Sequence, residues 1–482
     1  MQTYQDLVAG WFASKRDLVE QIREQLIGSE ILIDGPYGPK PLIYADYAAS
    51  GRALRCIENY ILGEVLPYYA NPHTSASFVG ARINQLRADA RAAIGRACHA
   101  PNDTAVIFAG TGATAGINKL AALLAQGCGM EQPIVLLGPY EHHSNILPWR
   151  EGPYDIIEIE EGPAGGPALG QIEETLKAYQ NRRIIGCFSA ASNVTGIITD
   201  VSATSRLLNR YGALSIWDYA GAAPYLPIDM ARDEIHALVL SPHKFLGGPA
   251  ASGLLLVRPE IIRTTRPTQA GGGTVSFVSP WAHHYHESLV AREEAGTPNA
   301  IGDIRAGLTI ALKGLVGASA IHARETALAD GALRAWRGND RIEILGHPAA
   351  PRIPIFSFRI SDGRGGHVHQ QLVTRLLSDL HGVQARGGCA CAGPYAHRLL
   401  DIDQEQSQRI WREISAGNEF EKPGWTRVNL SYAMSDDEVN AIITAVDDIA
   451  RRAGGLVTQY LCDPGSARFR HSTRSEESER AV

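Results

Sequence analysis

One lysine of this sequence has the setting that covalent amine chemistry requires. Lys244 follows the apolar run Ala237–Leu240 after three residues, and a Gly-Gly pair stands shortly behind it at positions 247 and 248. The run has the length and composition of a buried strand. Burial at the end of such a strand disfavours a protonated amine and makes it more nucleophilic toward carbonyl compounds. An exposed loop lysine is the alternative that any single lysine leaves open.

Two further features point to a cofactor that carries both a carbonyl group and a phosphate. Asp218 ends the apolar run Leu214–Trp217, where a carboxylate can pair with a protonated pyridine nitrogen. Residues Gly110–Thr114 join another run to an apparent helix, and a glycine-rich turn there offers free N–H groups to a phosphate. Taken singly, such an aspartate caps turns and such a turn is common. Together and in this order, the three features predict pyridoxal 5′-phosphate (PLP).

A second reactive stretch, Arg386–Ala392, consists of glycine, alanine and cysteine apart from its one arginine. A metal site would need a second Cys or His pair at ligand spacing, and no such pair accompanies Cys389 and Cys391. A disulfide between residues two apart is strained. Each cysteine is therefore either a small buried hydrophobe or a reactive thiol. The histidines at 283, 284 and 286 are interpreted as a solvated loop, and no metal is predicted.

The elements that position these residues are short apolar runs that alternate with helical or loop stretches. Unbroken runs of this kind are typical of strands buried on both faces of a parallel α/β sheet. The sequence therefore predicts one large α/β domain over residues 46–310. Its six predicted strands are Ala105–Phe108, Ile134–Leu137, Ile184–Phe188, Leu214–Trp217, Ala237–Leu240 and Leu254–Val257.

A smaller α+β domain is predicted over residues 311–460, where strands and helices no longer alternate regularly. We assign the N-terminal segment, residues 1–45, to pack with this domain. The tail, residues 461–482, is rich in Ser, Arg and Glu and is predicted to be disordered. The signals within the domain are strand-like runs at Ile342–Leu345 and Ile355–Phe358, a helix closed by Gly382, a half-buried strand around Val428, and a capping box at Ser435–Glu438.

The composition excludes several classes of protein. The chain of 482 residues is 45% hydrophobic and 20% charged, which suits a globular protein with an ample core. Lys plus Arg is 45 and Asp plus Glu is 51, which gives a net charge of −6. This negative charge indicates neither nucleic acid nor an anionic membrane as a partner. The N-terminus lacks the apolar region of a signal peptide, and no apolar stretch reaches the roughly 18 residues of a membrane span. Seven cysteines, an odd number, favour a reducing compartment, and we predict a cytoplasmic location.

The chain resembles a known family through several motifs. It is similar to the class V aminotransferase superfamily of fold-type I PLP enzymes, and within it to the cysteine desulfurase and selenocysteine lyase branch. The resemblance runs from about Tyr44 to Ala450 and implies a large mixed, mostly parallel sheet domain with a smaller α+β domain. The matching motifs are Tyr-Ala-Asp-Tyr-Ala-Ala-Ser at 44–50, Glu-His-His-Ser-Asn-Ile-Leu-Pro-Trp at 141–149, Ser-Pro-His-Lys at 241–244 and Glu-Ala-Gly-Thr-Pro-Asn at 294–299.

This resemblance implies a role for each matched residue. Lys244 would bind PLP covalently and act on the substrate proton, Asp218 would hold the pyridine nitrogen, and His143 would stack on the ring. Asn193 would lie beside the phenolic oxygen of the cofactor. Because the family's threonine reaches the phosphate of the neighbouring subunit, a homodimer is implied. The phosphate-binding residues would be Ala113, Thr114, Ser241, His243 and, across the subunit boundary, Thr297.

The same resemblance separates the two cysteines. Desulfurases of the second group carry Arg-x-Gly-His-His-Cys-Ala, and molybdenum cofactor sulfurases carry a similar Arg-x-Gly-Cys-x-Cys. Both alignments place Cys391, and not Cys389, on the catalytic cysteine that forms a persulfide. If the backbone there is extended, the two thiols face the same side. Arg427, otherwise an exposed strand-face charge, aligns with the arginine that binds the substrate carboxylate, and Arg386 would assist it.

One position departs from the pattern. The desulfurases usually have a cofactor-contacting glutamine three residues after the aspartate, where this chain has Gly221.

We predict a PLP-dependent cysteine desulfurase that converts L-cysteine to L-alanine and transfers the sulfur to an enzyme cysteine as a persulfide. A sulfur acceptor, either a protein or a thiol, must then collect the sulfur. Two alternatives remain: a PLP enzyme of the same fold without desulfurase activity (an aminotransferase, epimerase or C–S lyase), and a non-catalytic sulfur-relay partner. The sequence leaves open whether cysteine, selenocysteine or another amino acid is the substrate.

Overall fold

A computed structural model describes residues 3–14, 16–126 and 132–474 of the chain. The described residues fall into two compact units. The larger unit lies within the ranges Met1–Ile27, Ala49–Ser192 and Ile198–His322. The smaller unit lies within Gly28–Ala48, Asn193–Ile197 and Ala323–Val482.

Helices and strands alternate through the first part of the chain and then cluster. The helices are α1 Tyr4–Trp11, α2 Leu18–Glu24, α3 Arg55–Tyr60, α4 Phe78–Ala97, α5 Gly112–Ala125, α6 Leu147–Arg150, α7 Leu169–Ala178, α8 Val201–Arg210, α9 Leu289–Glu293, α10 Ala300–Val316, α11 Ala318–Trp336, α12 Gln370–His381, α13 Gly393–Leu399, α14 Gln404–Ser415 and α15 Asp436–Leu456. The strands are β1 Leu32–Ile33, β2 Lys40–Pro41, β3 Ile43–Tyr44, β4 Ala105–Gly110, β5 Ile134–Leu137, β6 Asp155–Glu158, β7 Ile184–Ser189, β8 Leu214–Asp218, β9 Ala237–Leu240, β10 Gly253–Val257, β11 Val275–Val278, β12 His283–Tyr285, β13 Ile342–Ile344, β14 Ile355–Ser361, β15 His367–Val368, β16 Val383–Gln384, β17 Arg386–Gly388, β18 Trp425–Asn429, β19 Tyr460–Asp463 and β20 Arg468–His471.

The larger unit is built on a seven-stranded sheet in the order β4-β10-β9-β8-β7-β5-β6. Neighbours from β9 to β6 pair in parallel, whereas β10 pairs antiparallel with both β9 and β4. The sheet is therefore mixed and mostly parallel, and the six apolar runs of the sequence are confirmed as strands. Strands β5, β7, β9 and β10 are buried along their whole length, as parallel sheets covered on both faces require.

Helix α10 packs along α4 and α1 and is buried through most of its length. Helices α10 and α11 together have the length and apolar composition of a membrane span, but the chain bends by 77° between them. No single helix of the described part of the chain could span a membrane.

The smaller unit contains a sheet in the order β13-β14-β18-β17, with β15 on β14. Helix α12 ends at Gly382, whose φ of +72° is the left-handed cap that the sequence predicts. Helix α15 begins after Ser435 with the predicted capping box, in which Ser435 and Glu438 bond each other's backbone N–H.

Two parts of the predicted domain plan differ from the structure. Residues up to 27 belong to the larger unit, and only residues 28–45 of the N-terminal segment belong to the smaller one, together with residues 46–48 of the predicted large domain. The tail is ordered as far as it is described, because β19 and β20 form a hairpin around Pro464 and Gly465. Aromatic packing holds this hairpin: Tyr460 contacts His471 and donates to Asp379 Oδ2 at 2.8 Å. Residues 475–482 lie outside the described residues.

Candidate active site

In the larger unit, the predicted cofactor residues gather at one edge of the sheet. Because β4, β5, β7, β8 and β9 run in the same direction, their carboxyl ends lie on the same side. Ligands of open α/β sheets bind at this edge. The segments that leave these five ends carry Thr111–Thr114, Glu141–His143, Ser189, Asp218 and Ser241–Lys244.

Lys244 closes a short 3-10 turn, Pro242–Lys244, directly after β9. Its backbone N–H donates to Ser241 O at 3.0 Å. The turn packs backbone against backbone: a Cβ added at Gly51 would lie 1.9 Å from Phe245 O, and one at Gly248 would lie 2.0 Å from Pro242 O. The lysine backbone is therefore held by neighbours that admit no side chain.

Asp218 is the last residue of β8 and is 5% exposed. Its Oδ1 accepts a hydrogen bond of 2.8 Å from Ala220 N, and among the described residues no cation forms an ion pair with it. Burial raises the pKa of this carboxyl, while the bond from Ala220 and the charge of Lys244 oppose the rise. A buried carboxylate of this kind gains stability from a cationic partner.

The turn between β4 and α5 forms a small polar cradle. Ala113 N donates to Ser241 Oγ at 2.9 Å, and Thr114 Oγ1 lies 2.7 Å from Ser144 Oγ. Gly112 has a φ of +61°, and a Cβ there would lie 3.0 Å from His243 Cε1. Burial and the charge of Lys244 lower the pKa of His243 to about 4, so its ring is neutral at pH 7. A helix N-terminus beside hydroxyl groups favours an anion such as a phosphate.

His143 and its neighbour Glu141 follow β5. His143 is half-buried, and burial with the nearby Arg150 charge lowers its pKa. Glu141 is buried and accepts hydrogen bonds from Ser189 N at 2.9 Å and Ser189 Oγ at 2.7 Å. Burial raises the pKa of Glu141 to about 7. The sequence analysis assigned no role to Glu141, although it opens the motif that contains His143.

Thr297 lines a cavity of about 650 Å³ in the larger unit, together with Gly110. Its loop begins at Glu294, whose carboxylate bonds Arg87, Arg91 and the N–H of Phe108 at 2.8 to 3.1 Å. This partly buried network joins the Thr297 loop to β4. No hydrogen bond among the described residues connects Thr297 with Ala113, Thr114, Ser241 or His243.

In the smaller unit, the predicted substrate-binding arginines meet at one carboxylate. Arg386 and Arg427 are opposite each other on β17 and β18. Arg427 Nη2 donates to Asp46 Oδ1 at 2.7 Å, and Arg386 Nε donates to Asp46 Oδ2 at 2.8 Å. Arg427 is 3% exposed, so it is not an exposed strand-face charge. Asp46 lies in the motif at 44–50, but the sequence alone did not indicate this role for it.

The two cysteines lie on a reverse turn, not on extended backbone. Ala392 N donates to Cys389 O at 3.2 Å, and the two residues between them, Ala390 and Cys391, have φ values of +52° and +56°. Cys391 is exposed and Cys389 is partly buried. The extended backbone under which both thiols would face the same side is therefore not present. Asn193 Nδ2 donates to Ala390 O at 2.8 Å.

Among the described residues, the other cysteines and the histidine cluster show no second site. Cys98 and Cys187 are buried, and burial raises the pKa of both thiols. His283 and His284 lie on β12 of a small hairpin, where the sequence analysis placed a loop. Within the described ranges, no three His, Cys, Asp or Glu side chains are grouped as metal ligands would be.

The profile of the family described as Aminotransferase class-V matches residues 43–442. The chain therefore belongs to the class-V aminotransferase family. It is 28% identical over 372 residues to a probable cysteine desulfurase of Halalkalibacterium halodurans, covering 77% of this chain and 89% of the relative. It is 26% identical over 432 residues to a probable cysteine desulfurase of Vibrio cholerae, covering 89% of this chain and 97% of the relative.

Solved structures show the same fold. A cysteine desulfurase from Thermococcus onnurineus matches with a TM-score of 0.72 at 22% identity, over 85% of this chain and 95% of that one. The Escherichia coli cysteine desulfurase CsdA matches with a TM-score of 0.70 at 22% identity, over 90% of this chain and 98% of that one. The fold is that of fold-type I PLP enzymes, as the resemblance implies.

The residues of the larger unit fit PLP, the cofactor of this family. Asp218 is a buried carboxylate without an ion-pair partner among the described residues, which suits a protonated ring nitrogen. The cradle at Gly112, with the Ser241 hydroxyl and the His243 ring close by, suits a phosphate. Lys244 leaves the same sheet edge, where its amine would be available to the cofactor.

Proposed function

We propose that this protein is a PLP-dependent cysteine desulfurase that converts L-cysteine to L-alanine and transfers the sulfur to Cys391. The observation that carries the proposal is the setting of Cys391, the one exposed cysteine among the described residues, on a turn that directly follows the strand of Arg386. Reactive cysteines are solvent-accessible thiols, as Cys391 is. The relatives named cysteine desulfurase support the same activity.

The proposed cofactor contacts rest on the family resemblance, and the strand ends of the larger unit support those of Lys244, Asp218 and the phosphate residues. Lys244 would bind PLP covalently through Nζ, Asp218 would pair with the ring nitrogen, and His143 would stack on the ring. Ala113, Thr114, Ser241 and His243 would hold the phosphate, and Asn193 of the smaller unit is proposed for the phenolic oxygen. When bound, PLP withdraws electrons from the substrate α-carbon.

The chain's own residues would then divide the remaining work. Arg427, assisted by Arg386, would bind the substrate carboxylate, which would replace some of the hydrogen bonds that these arginines make to Asp46. Charge-assisted hydrogen bonds of this kind contribute about 1.5–3 kcal/mol each. Lys244 Nζ would move a proton at the substrate α-carbon. The Cys391 thiolate would attack the substrate sulfur, the carbon–sulfur bond would break, and the carbon would take a proton. The balance is Cys391 thiol plus L-cysteine giving Cys391 persulfide plus L-alanine.

The proposed assembly is a homodimer. Thr297 is bonded to none of the phosphate-cradle residues named above, and it is assigned to the phosphate of the second copy. Thr297→Ala should weaken PLP retention by about 10-fold, as expected for one lost hydrogen bond to a charged group, while the unfolding temperature stays the same. Light scattering should report a dimer. Full activity in a species with the mass of a monomer would contradict the assignment.

The activity is tested by incubating the purified protein with L-cysteine, PLP and a thiol reductant, and by measuring alanine and sulfide together. We expect both products in equal amounts. Pyruvate or racemised cysteine in place of alanine would identify a PLP enzyme of the same fold without desulfurase activity. A protein that stays colourless with added PLP would indicate a non-catalytic relay partner. A protein or small-thiol acceptor in the cytoplasm is proposed to collect the sulfur.

A further inference from the structure

The turn that carries Cys391 has an unusual backbone. Ala390 and Cys391 both have positive φ, which is the signature of a type I′ turn. Glycine and asparagine normally fill such positions, because a Cβ makes the left-handed region unfavourable. Alanine and cysteine in succession therefore need an external contact to keep this conformation.

Among the described residues, one side chain supplies such a contact. Asn193 Nδ2 donates to Ala390 O at 2.8 Å, and no other side chain bonds residues 389–392. The backbone carbonyl of Asn193 accepts a hydrogen bond of 2.8 Å from Arg427 Nη1. Asn193 is 9% exposed, and Arg427 is also tied to Asp46. One residue thus connects the cysteine turn to the arginine proposed to bind the substrate carboxylate.

We propose that Asn193 is a positioning residue for Cys391. Its side-chain amide holds the turn in the left-handed conformation that presents the thiol. Its backbone carbonyl keeps the turn in a fixed position relative to Arg427. This inference rests on the proposed desulfurase function for its consequence on sulfur transfer. It extends the role assigned to Asn193 by the family resemblance, which concerns the cofactor alone.

The test compares Asn193→Ala and Asn193→Asp with wild type in a Cys389→Ser background. The first readout is hydrogen–deuterium exchange of residues 387–398, and the second is the rate of Cys391 persulfide formation measured by mass spectrometry. Both variants should exchange the turn amides about 10-fold faster, because the turn opens locally. Both should form persulfide about 10- to 100-fold more slowly, the size of effect that misplacement of a reacting group produces.

A rescue variant separates the turn from the cofactor. Glycine adopts positive φ without strain, so Ala390→Gly combined with Asn193→Ala should restore slow amide exchange. The same double variant should recover at least half of the loss in the logarithm of the persulfide rate. A glycine at 390 cannot replace a contact between Asn193 and a cofactor. Asn209→Ala is the matched control: Asn209 Nδ2 donates to Glu234 O at 3.1 Å, and Glu234 also has a positive φ of +50°. This control should leave both readouts unchanged.

Three results would overturn the inference: wild-type exchange in both Asn193 variants, faster exchange with an unchanged persulfide rate, or no rescue by Ala390→Gly. A wild-type protein that forms no persulfide would instead refute the proposed function. In that case, the exchange rates and the rate of Cys391 alkylation by iodoacetamide still decide whether Asn193 holds the turn. Wild-type values of both in the Asn193 variants would reject the inference on its own.

Discussion

The two regions that carry the proposed chemistry are built in opposite ways. In the larger unit, Lys244 and Asp218 end buried strands, and glycine fills the left-handed position of the adjacent turn at Gly112. In the smaller unit, Ala390 and Cys391 occupy left-handed positions that suit neither, and a single amide bonds their turn. Close backbone packing therefore fixes the first region, whereas the second has a single side-chain hydrogen bond to support its turn.

The largest effect should come from the fixed region. Lys244→Ala should abolish the visible absorbance that borohydride removes and should lower alanine formation by about 10³-fold or more, because the amine and the proton carrier are lost together. Absorbance spectra before and after borohydride measure the attachment. The matched control is Lys177→Ala, a surface lysine that pairs with Glu173 at 3.0 Å. A Lys244→Ala protein that keeps the reducible band would reject the assignment of the amine.

Gly112→Ala tests whether the phosphate cradle is fixed by its backbone. A Cβ at this position meets His243 Cε1 at 3.0 Å, and alanine is strained at a φ of +61°. Strain of about 1–3 kcal/mol should weaken PLP binding by roughly 10- to 100-fold in a fluorescence titration. Gly170→Ala is the control, since nothing lies within 4 Å of its Cβ and its φ is not positive. Equal PLP affinity in both variants would show that the cradle is more adaptable than described.

The Glu141 carboxyl gives the fixed region a pH dependence. Its pKa is raised from 4.5 to about 7 by burial, so the folded protein retains a proton that the unfolded chain releases. Stability from this group therefore falls as pH rises from 4.5 to about 7, and the full penalty remains above that range. Glu141→Gln should flatten this part of the profile. Thermal unfolding of both proteins at several pH values between 5 and 8 measures it, and parallel profiles would contradict the prediction.

The smallest effect should come from removing backbone strain in the cysteine turn of the smaller unit. Ala390→Gly removes the strain of alanine at a φ of +52° and should stabilise the fold by up to about 1 kcal/mol, less the backbone entropy of glycine. Urea denaturation measures the difference. Ala109→Gly, in the interior of β4, should instead destabilise the protein. A loss of stability in Ala390→Gly would mean that the turn is not strained.

Much of the larger unit could be predicted from the sequence, because unbroken apolar runs are nearly sufficient evidence for buried parallel strands. The strand β6, Asp155–Glu158, was missed because it lies at the sheet edge and has polar residues at both ends. The hairpin of β19 and β20 was also missed. Its aromatic residues Tyr460 and Phe469 have partners distant in sequence, Asp379 and His369, which composition does not reveal.

The residues of the candidate site were predictable where their position at the end of a strand indicates the location of the side chain, as for Asp218 and Lys244. The contacts of Asp46 and Asn193 were not predictable, because their hydrogen bonds join residues far apart in sequence: Asp46 with Arg427, and Asn193 with Ala390. The backbone of the cysteine turn could not be predicted for the same reason. Local composition allowed an extended segment, and tertiary hydrogen bonding selects a left-handed turn. The functional roles themselves remain predictions.

The central claim is that Cys391, and not Cys389, accepts the sulfur. The most direct measurement treats wild type, Cys391→Ala and Cys389→Ala with one equivalent of L-cysteine, quantifies alanine, and maps persulfide on the segment 387–398 by mass spectrometry. We expect persulfide at residue 391 with matching alanine in wild type, substantial activity in Cys389→Ala, and neither product in Cys391→Ala, whose cofactor absorbance stays intact. Alanine formed by Cys391→Ala at the wild-type rate would contradict the account.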